Sequence, residues 1–168
     1  MTASIQTPRG AEAQRQERAM IRAFAESHGR YFLMETPTDP TLFPCADALI
    51  GSVATGECVM LLEAKARPFF GSLRRFREEF NGEWLISTSK IDRAREVAKR
   101  LAVPLFGLMG IPQDHVALLK EITNAHGEWM TPFARRSILT SRTINGGQHE
   151  DECYFFPMAD ANPYSLTW

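Results

Sequence analysis

No apolar run in this chain approaches the roughly 20 residues that a membrane-spanning helix needs. The first stretch, MTASIQTPRGAEAQRQER, is polar and lacks the apolar core of a secretory signal. Both absences lead to the expectation of a cytoplasmic protein. Cysteine is scarce: Cys45, Cys58 and Cys153 are odd in number, far apart, and form no CxxC pair. That argues against a zinc ribbon and a disulfide framework, and leaves reduced, partly buried thiols as the expectation. The four histidines, His28, His115, His126 and His149, never fall at HxxxH or HExxH spacing, so no zinc hydrolase signature is present. GxSxG, Walker A and GxGxxG patterns are also missing, and with them the commonest marks of serine hydrolases, ATPases and dinucleotide enzymes. Nor does one charge dominate, since the formal net charge is −1. Attraction to nucleic acid would have to come from a local patch. The basic clusters are SLRRFREEF, RAREVAKR and FARRS, each of which also suits a solvated helix face.

What is present reads as one globular domain. The chain has 168 residues, 44% hydrophobic and 23% charged, enough for a sizeable core. There is no internal repeat. Residues 10–28 carry a helical pattern through Met20, Ile21 and Phe24, with Gly29 as the stop. RYFLME reads as a short strand, TPTDPTLFP as a proline-rich loop, ADALIGSV as a strand and TGE as a turn. CVMLLEAKA is a continuous apolar run, which fits a central strand covered on both faces. RPFFGSLRRFREEFNG is irregular or weakly helical. EWLISTS reads as a strand. KIDRAREVAKRLA is a helix with Ile91, Ala94, Val97, Ala98 and Leu101 on one side, and VPLFGLMGI is a further strand. Residues 84–110 then form a strand–helix–strand unit, expected as a right-handed crossover. Beyond Pro112 the pattern predicts a hairpin turning at NAHG and closing with EWMTPF. It predicts a second hairpin around NGG, and a loop for the tail ADANPYSLTW. The fold class is therefore α/β, a central mixed β-sheet flanked by helices with a β-rich C-terminal part.

Three charges interrupt this apolar pattern. Asp47 opens one predicted strand, and Glu63 and Lys65 lie near the end of the next. Residues i and i+2 of a strand share a face, so Glu63 and Lys65 project side by side. If the two strands pair antiparallel, the start of the first lies opposite the end of the second. The 16 residues from Asp47 to Glu63 accommodate two strands and a turn. All three charges then converge on one sheet edge. Charges are rarely buried unless they are paired or bind a metal. Two carboxylates form a hard-oxygen site suited to Mg²⁺ or Mn²⁺, and magnesium readily takes phosphate oxygens as further ligands. A neighbouring lysine can position a water molecule and offset charge developing on a phosphate. These parts suit metal-assisted hydrolysis of a phosphodiester. A structural Asp–Glu–Lys ion network uses the same residues.

The segment PCADALI…CVMLLEAKAR resembles the active-site hairpin of the PD-(D/E)xK nuclease superfamily, which has the restriction-endonuclease-like fold. Asp47 matches the aspartate of the first half-motif, and Glu63-Ala64-Lys65 matches the second. Pro44 precedes Asp47 by three residues rather than one, a departure from the pattern. The order helix, hairpin, strand, helix, strand also resembles the family core, over about residues 12–111, with residues 113–158 as a C-terminal extension. The resemblance implies Asp47 and Glu63 as metal ligands, the Ala64 carbonyl as a further ligand, and Lys65 as the catalytic lysine. It also implies a glutamate from the first helix, for which Glu17 is the better match and Glu26 the weaker. Lys90, at the start of a helix, is the candidate that faces the same site, and its helix N-terminus offers free N–H groups to phosphate. Ser87 and Ser89 flank it and can cap that helix or contact the nucleic-acid backbone. Arg67 is the candidate phosphate contact beyond Lys65. Arg135, Arg136 and Arg142 lie outside the resemblance. Trp84, Trp129 and Trp168 can stack on bases, with core packing the expectation for the first two.

The reading is a DNA-cleaving enzyme of phage or repair type, working as a homodimer or with an accessory protein. The main alternative is a catalytically inactive nucleic-acid-binding or assembly subunit on the same fold. A carboxylate-pair glycosidase gives Lys65 no role and ranks below both.

Overall fold

The lone central run CVMLLEAKA becomes the middle of a six-stranded sheet. The computed structural model describes residues 8–27, 29–34, 46–139 and 149–168. Pro44, Cys45, His28, Arg142, the proline-rich loop and the NGG turn lie outside the described residues. Helix α1 (Pro8–Ser27) is followed by strands β1 (Tyr31–Met34), β2 (Ala48–Ser52) and β3 (Cys58–Ala66). These three strands form an antiparallel meander, as the turn signals between them predict. A 3-10 turn at Pro68–Phe70 and helix α2 (Leu73–Glu79) follow. Ser72 caps α2, its hydroxyl accepting a hydrogen bond from the Arg75 N–H.

Strand β4 (Glu83–Ser87), helix α3 (Thr88–Leu101) and strand β5 (Leu105–Ile111) come next. Strand β5 lies parallel to β3, pairing Glu63 with Gly107 and Lys65 with Met109. Strand β6 (Val116–Thr123) and, near the C-terminus, β9 (Asn162–Ser165) complete the order β1-β2-β3-β5-β6-β9. A second, antiparallel sheet holds β4, β8 (Glu150–Pro157) and β7 (Ala134–Leu139) in that order.

Several expectations need correction. Strand β4 does not join the main sheet. It pairs with β8, so residues 84–110 do not form a crossover within one sheet. The crossover runs instead from β3 to β5 and carries α2, β4 and α3 together. The tail is not all loop, since β9 pairs antiparallel with β6. The segment EWMTPF makes one bridge to β6, Thr123 with Trp129, rather than a strand. Leu101 is 44% exposed, because α3 runs out over solvent before Ala102 ends it in the left-handed conformation. The predicted strands of the second C-terminal hairpin are present and paired as β7 and β8.

Each face of the main sheet buries its own core. One face packs Leu62, Ala64 and Leu108 against Met20, Ile21 and Phe24 of α1. The other packs Leu61, Leu105 and Met109 against Ile91, Ala94 and Ala98 of α3 and against Trp84, Tyr154 and Phe156 of the second sheet. This double cover explains why β3 is apolar at nearly every position. Among the described residues no helix is long and apolar enough to cross a membrane.

Candidate active site

Strand register brings the carboxylates together. Ala48 pairs with Leu62, which sets Asp47 beside Glu63 at the end of the β2–β3 ladder. The Asp47 N–H donates to the Leu62 carbonyl at 3.0 Å, and the Ala64 N–H donates to Asp47 Oδ2 at 2.8 Å. A backbone clamp at both ends thus aims the Asp47 side chain along β3. Glu63 points to the α3 side of the sheet and is 0% exposed. Among the described residues neither of its oxygens has a hydrogen-bond partner.

Two lysines face this pair. Lys90, in the first turn of α3, donates to Asp47 Oδ1 and Oδ2 at 3.3 and 3.4 Å. The same ammonium forms an ion pair with Glu63 Oε1. Lys65 is two residues along β3 and reaches the other way. It donates to both Glu17 oxygens, at 3.2 and 3.3 Å. Glu17 projects from the buried side of α1 with its side chain only 14% exposed. So the structure gathers Asp47, Glu63, Ala64, Lys65, Lys90 and Glu17 around one end of two interior strands of the sheet rather than at its edge. Glu17 pairs with Lys65 rather than joining the two carboxylates. Among the described residues no group of three or more His, Cys, Asp or Glu side chains is placed to hold a metal. Glu26 is exposed, in a groove of about 630 Å³ that α1 forms with Ser165, Leu166 and Thr167, and that Arg18 and Arg22 also line.

Four other candidates sit differently from expectation. Arg67 turns inward, and its Nη2 donates to the Leu85 carbonyl at 3.2 Å, tying β3 to β4. Ser87 occupies the N-cap position of α3 but makes no side-chain cap. Its hydroxyl lies 3.0 Å from that of Ser89 and donates to Asp151 at 3.5 Å. Arg136 forms a bidentate pair with Glu83 at 2.8 and 2.9 Å, and Arg135 donates to the Tyr154 hydroxyl. Trp84 is fully buried, Trp129 partly so. Cys153 is buried and Cys58 half-buried, both as free thiols.

Environment drives the two carboxylates apart. Burial pushes the Glu63 carboxyl up, the Asp47 charge pushes it further, and Lys90 and Lys65 pull back only partly, leaving it at about 8. Burial also raises Asp47. There the charges of Lys90 and Lys65 and the Ala64 N–H outweigh it and hold the group below the usual aspartate range. Lys90 loses solvation, yet Asp47 and Glu63 keep its ammonium above the ordinary lysine range. Burial lowers Arg67 despite the nearby charges of Glu17, Cys153 and Glu63.

Sequence reasoning did not find the source of this dryness. Gly107 is the partner of Glu63 on β5, so both share a face. An added Cβ at Gly107 would overlap the Trp84 indole. The indole therefore fills the space one strand from Glu63, on its own face. The available signal was a lone glycine inside a strand, which marks close approach of another group.

The donor set fits a hard divalent cation. It offers two carboxylates, one of them fully buried, that already share the positive charge of Lys90. No family model, curated protein or solved structure matches this chain. Function must be argued from the site.

Proposed function

We propose that this protein is a divalent-metal-dependent nuclease of the PD-(D/E)xK type, with a restriction-endonuclease-like fold, that hydrolyses phosphodiester bonds in DNA. The observation that carries this reading is the convergence of Asp47 and Glu63 across the β2–β3 ladder, with Lys65 two residues further along β3 and its charge acting on both. Connectivity supports it. Helix α1, the β2–β3 hairpin, α3 on the opposite side and β5 parallel to β3 follow the order on which the resemblance rests, while the strand between hairpin and α3, β4, departs from it by joining the second sheet.

Asp47, Glu63 and the Ala64 carbonyl would hold Mg²⁺ or Mn²⁺, which when bound supplies positive charge to the phosphate oxygens. The chain's own residues do the rest. Lys65, held at its Nζ by both oxygens of Glu17, orients the attacking water and offsets charge growing on the phosphoryl group. Lys90 adds a second ammonium at the same end of the strands. Arg67 is committed to the Leu85 carbonyl and acts on DNA through its remaining N–H groups. In the reaction a water oxygen bonds to phosphorus and one P–O ester bond breaks. The products are a phosphate monoester and an alcohol, the water's proton passing to solvent or to the leaving oxygen.

The test compares wild type with Lys65→Ala on linear, circular, single-stranded and branched DNA, in Mg²⁺, Mn²⁺ and EDTA. Cleavage is expected to need the cation and to fall by about 100-fold or more in the variant. Absence of cleavage on every substrate, together with no calorimetric Mn²⁺ binding, sinks the enzyme reading. One observation favours a second reading, a nucleic-acid-binding or assembly subunit. Lys90 bridges Asp47 and Glu63 as a structural ion network would. That reading then leads.

A further inference from the structure

The place between Asp47 and Glu63 already has a cationic occupant. Lys90 Nζ lies 3.3 and 3.4 Å from the two Asp47 oxygens and pairs with Glu63 Oε1. No other cationic side chain among the described residues contacts either carboxylate, because Lys65 turns to Glu17 and Arg67 to Leu85. Lys90 belongs to the first turn of α3 and sits on a long, rotatable stem, 28% exposed. It can leave without moving the helix. The carboxylates cannot follow it. Asp47 is clamped by the Ala64 N–H, and Glu63 is walled in on a central strand.

We propose that Lys90 is the resident counter-ion of this site and competes with the divalent cation for the Asp47–Glu63 pair. Loading the cation expels the ammonium into solvent at the mouth of the site, where it becomes free to meet a phosphate. The inference rests on the metal-site reading above and adds to it an exchange: one cation in, one out. Like charges within a few ångströms repel, so the two do not share the place.

The experiment uses the full-length wild-type protein. Lysines are acylated with a limiting amine-reactive reagent, with and without Mg²⁺ at a concentration that calorimetry shows to be saturating. Modification at each lysine is read by mass spectrometry. Lys90 is expected to react at least fivefold faster with Mg²⁺, while Lys99, exposed in the last turn of α3, stays unchanged as an internal standard. In parallel, Lys90→Met is expected to bind Mn²⁺ about 10-fold tighter and to unfold at a lower temperature than wild type in EDTA. Saturating Mg²⁺ that leaves Lys90 reactivity unchanged or lower overturns the exchange and leaves the metal site standing. Absence of Mn²⁺ binding by both wild type and Lys90→Met overturns the exchange and the metal-site reading together.

Discussion

Glu63 keeps a carboxyl group at 0% exposure, paired only with the Lys90 ammonium among the described residues. Such a group destabilises the folded chain when it ionises. Its value in the fold, about 8, stands above the ordinary 4.5, so the folded state holds a proton that the unfolded state has released. Stability from this group is full below about pH 4.5 and is lost as pH rises toward 8. Asp47 runs the other way. Its value is lowered, so its contribution is present above the usual 3.8 and fades as pH falls through the lower folded value. The metal-free protein is therefore expected to be most stable in mild acid. In EDTA, urea unfolding should lose on the order of 2 kcal/mol between about pH 5 and about pH 8. Glu63→Gln should flatten that slope, since an amide does not titrate. An unchanged slope in the variant would assign the pH dependence to another group.

At the scale of elements, β5 shapes the site as much as the strand that bears it. Gly107 leaves room for the Trp84 indole, and the indole keeps water from that side of Glu63. Gly107→Ala should push Trp84 aside and destabilise the fold by about 1–3 kcal/mol. It should also wet Glu63 and bring its pKa down toward the ordinary range, a change readable by ¹³C-carboxyl NMR titration. A merely local packing defect would cost stability without moving that titration. This roof was hidden from sequence reading, whereas the pairing of Asp47 with Glu63 was open to it. A strand, a short turn and a second strand fold back as an antiparallel pair, here with one register shift at Ile50/Gly51, and the side-chain period of two then decides the face. Lys90 was reached through the resemblance, which implies a site residue after β4, although β4 itself lies in the second sheet. Membership of β4 was not legible. Trp84 and Ile86 alternate with Leu85 as in any half-buried strand, and alternation says nothing about which sheet supplies the partner. Strand β9 was missed because NPYS has loop composition. Its proline is tolerated only because β9 is an edge strand. Arg67 continues the i, i+2 pattern of Glu63 and Lys65, but nothing in that pattern reveals the Leu85 carbonyl that captures it.

At the scale of the whole molecule, the site sits where separate parts of the fold meet. Its carboxylates come from β3, from the residue preceding β2 and, as Glu17, from α1, and its ammonium groups come from β3 and α3. The cores on the two sheet faces are distinct, and β3 contributes to both. A ligand held by Asp47 and Glu63 binds only when β2 and β3 are in register, so it must stabilise the entire cooperative unit rather than one loop. At a hundred times its dissociation constant such a ligand adds about 2.7 kcal/mol. For a chain of this size that corresponds to a rise of about 5–10 °C in the unfolding midpoint. Differential scanning calorimetry with MnCl₂ against EDTA should record the rise in wild type and in Lys65→Ala, whose lysine is not a ligand. It should vanish in Asp47→Asn, where the Ala64 N–H keeps a carbonyl acceptor but one negative charge is gone. A rise of equal size in Asp47→Asn would mean that the cation stabilises the protein from another place. The carboxylate pair would then be a structural element, with Lys90 as its permanent partner.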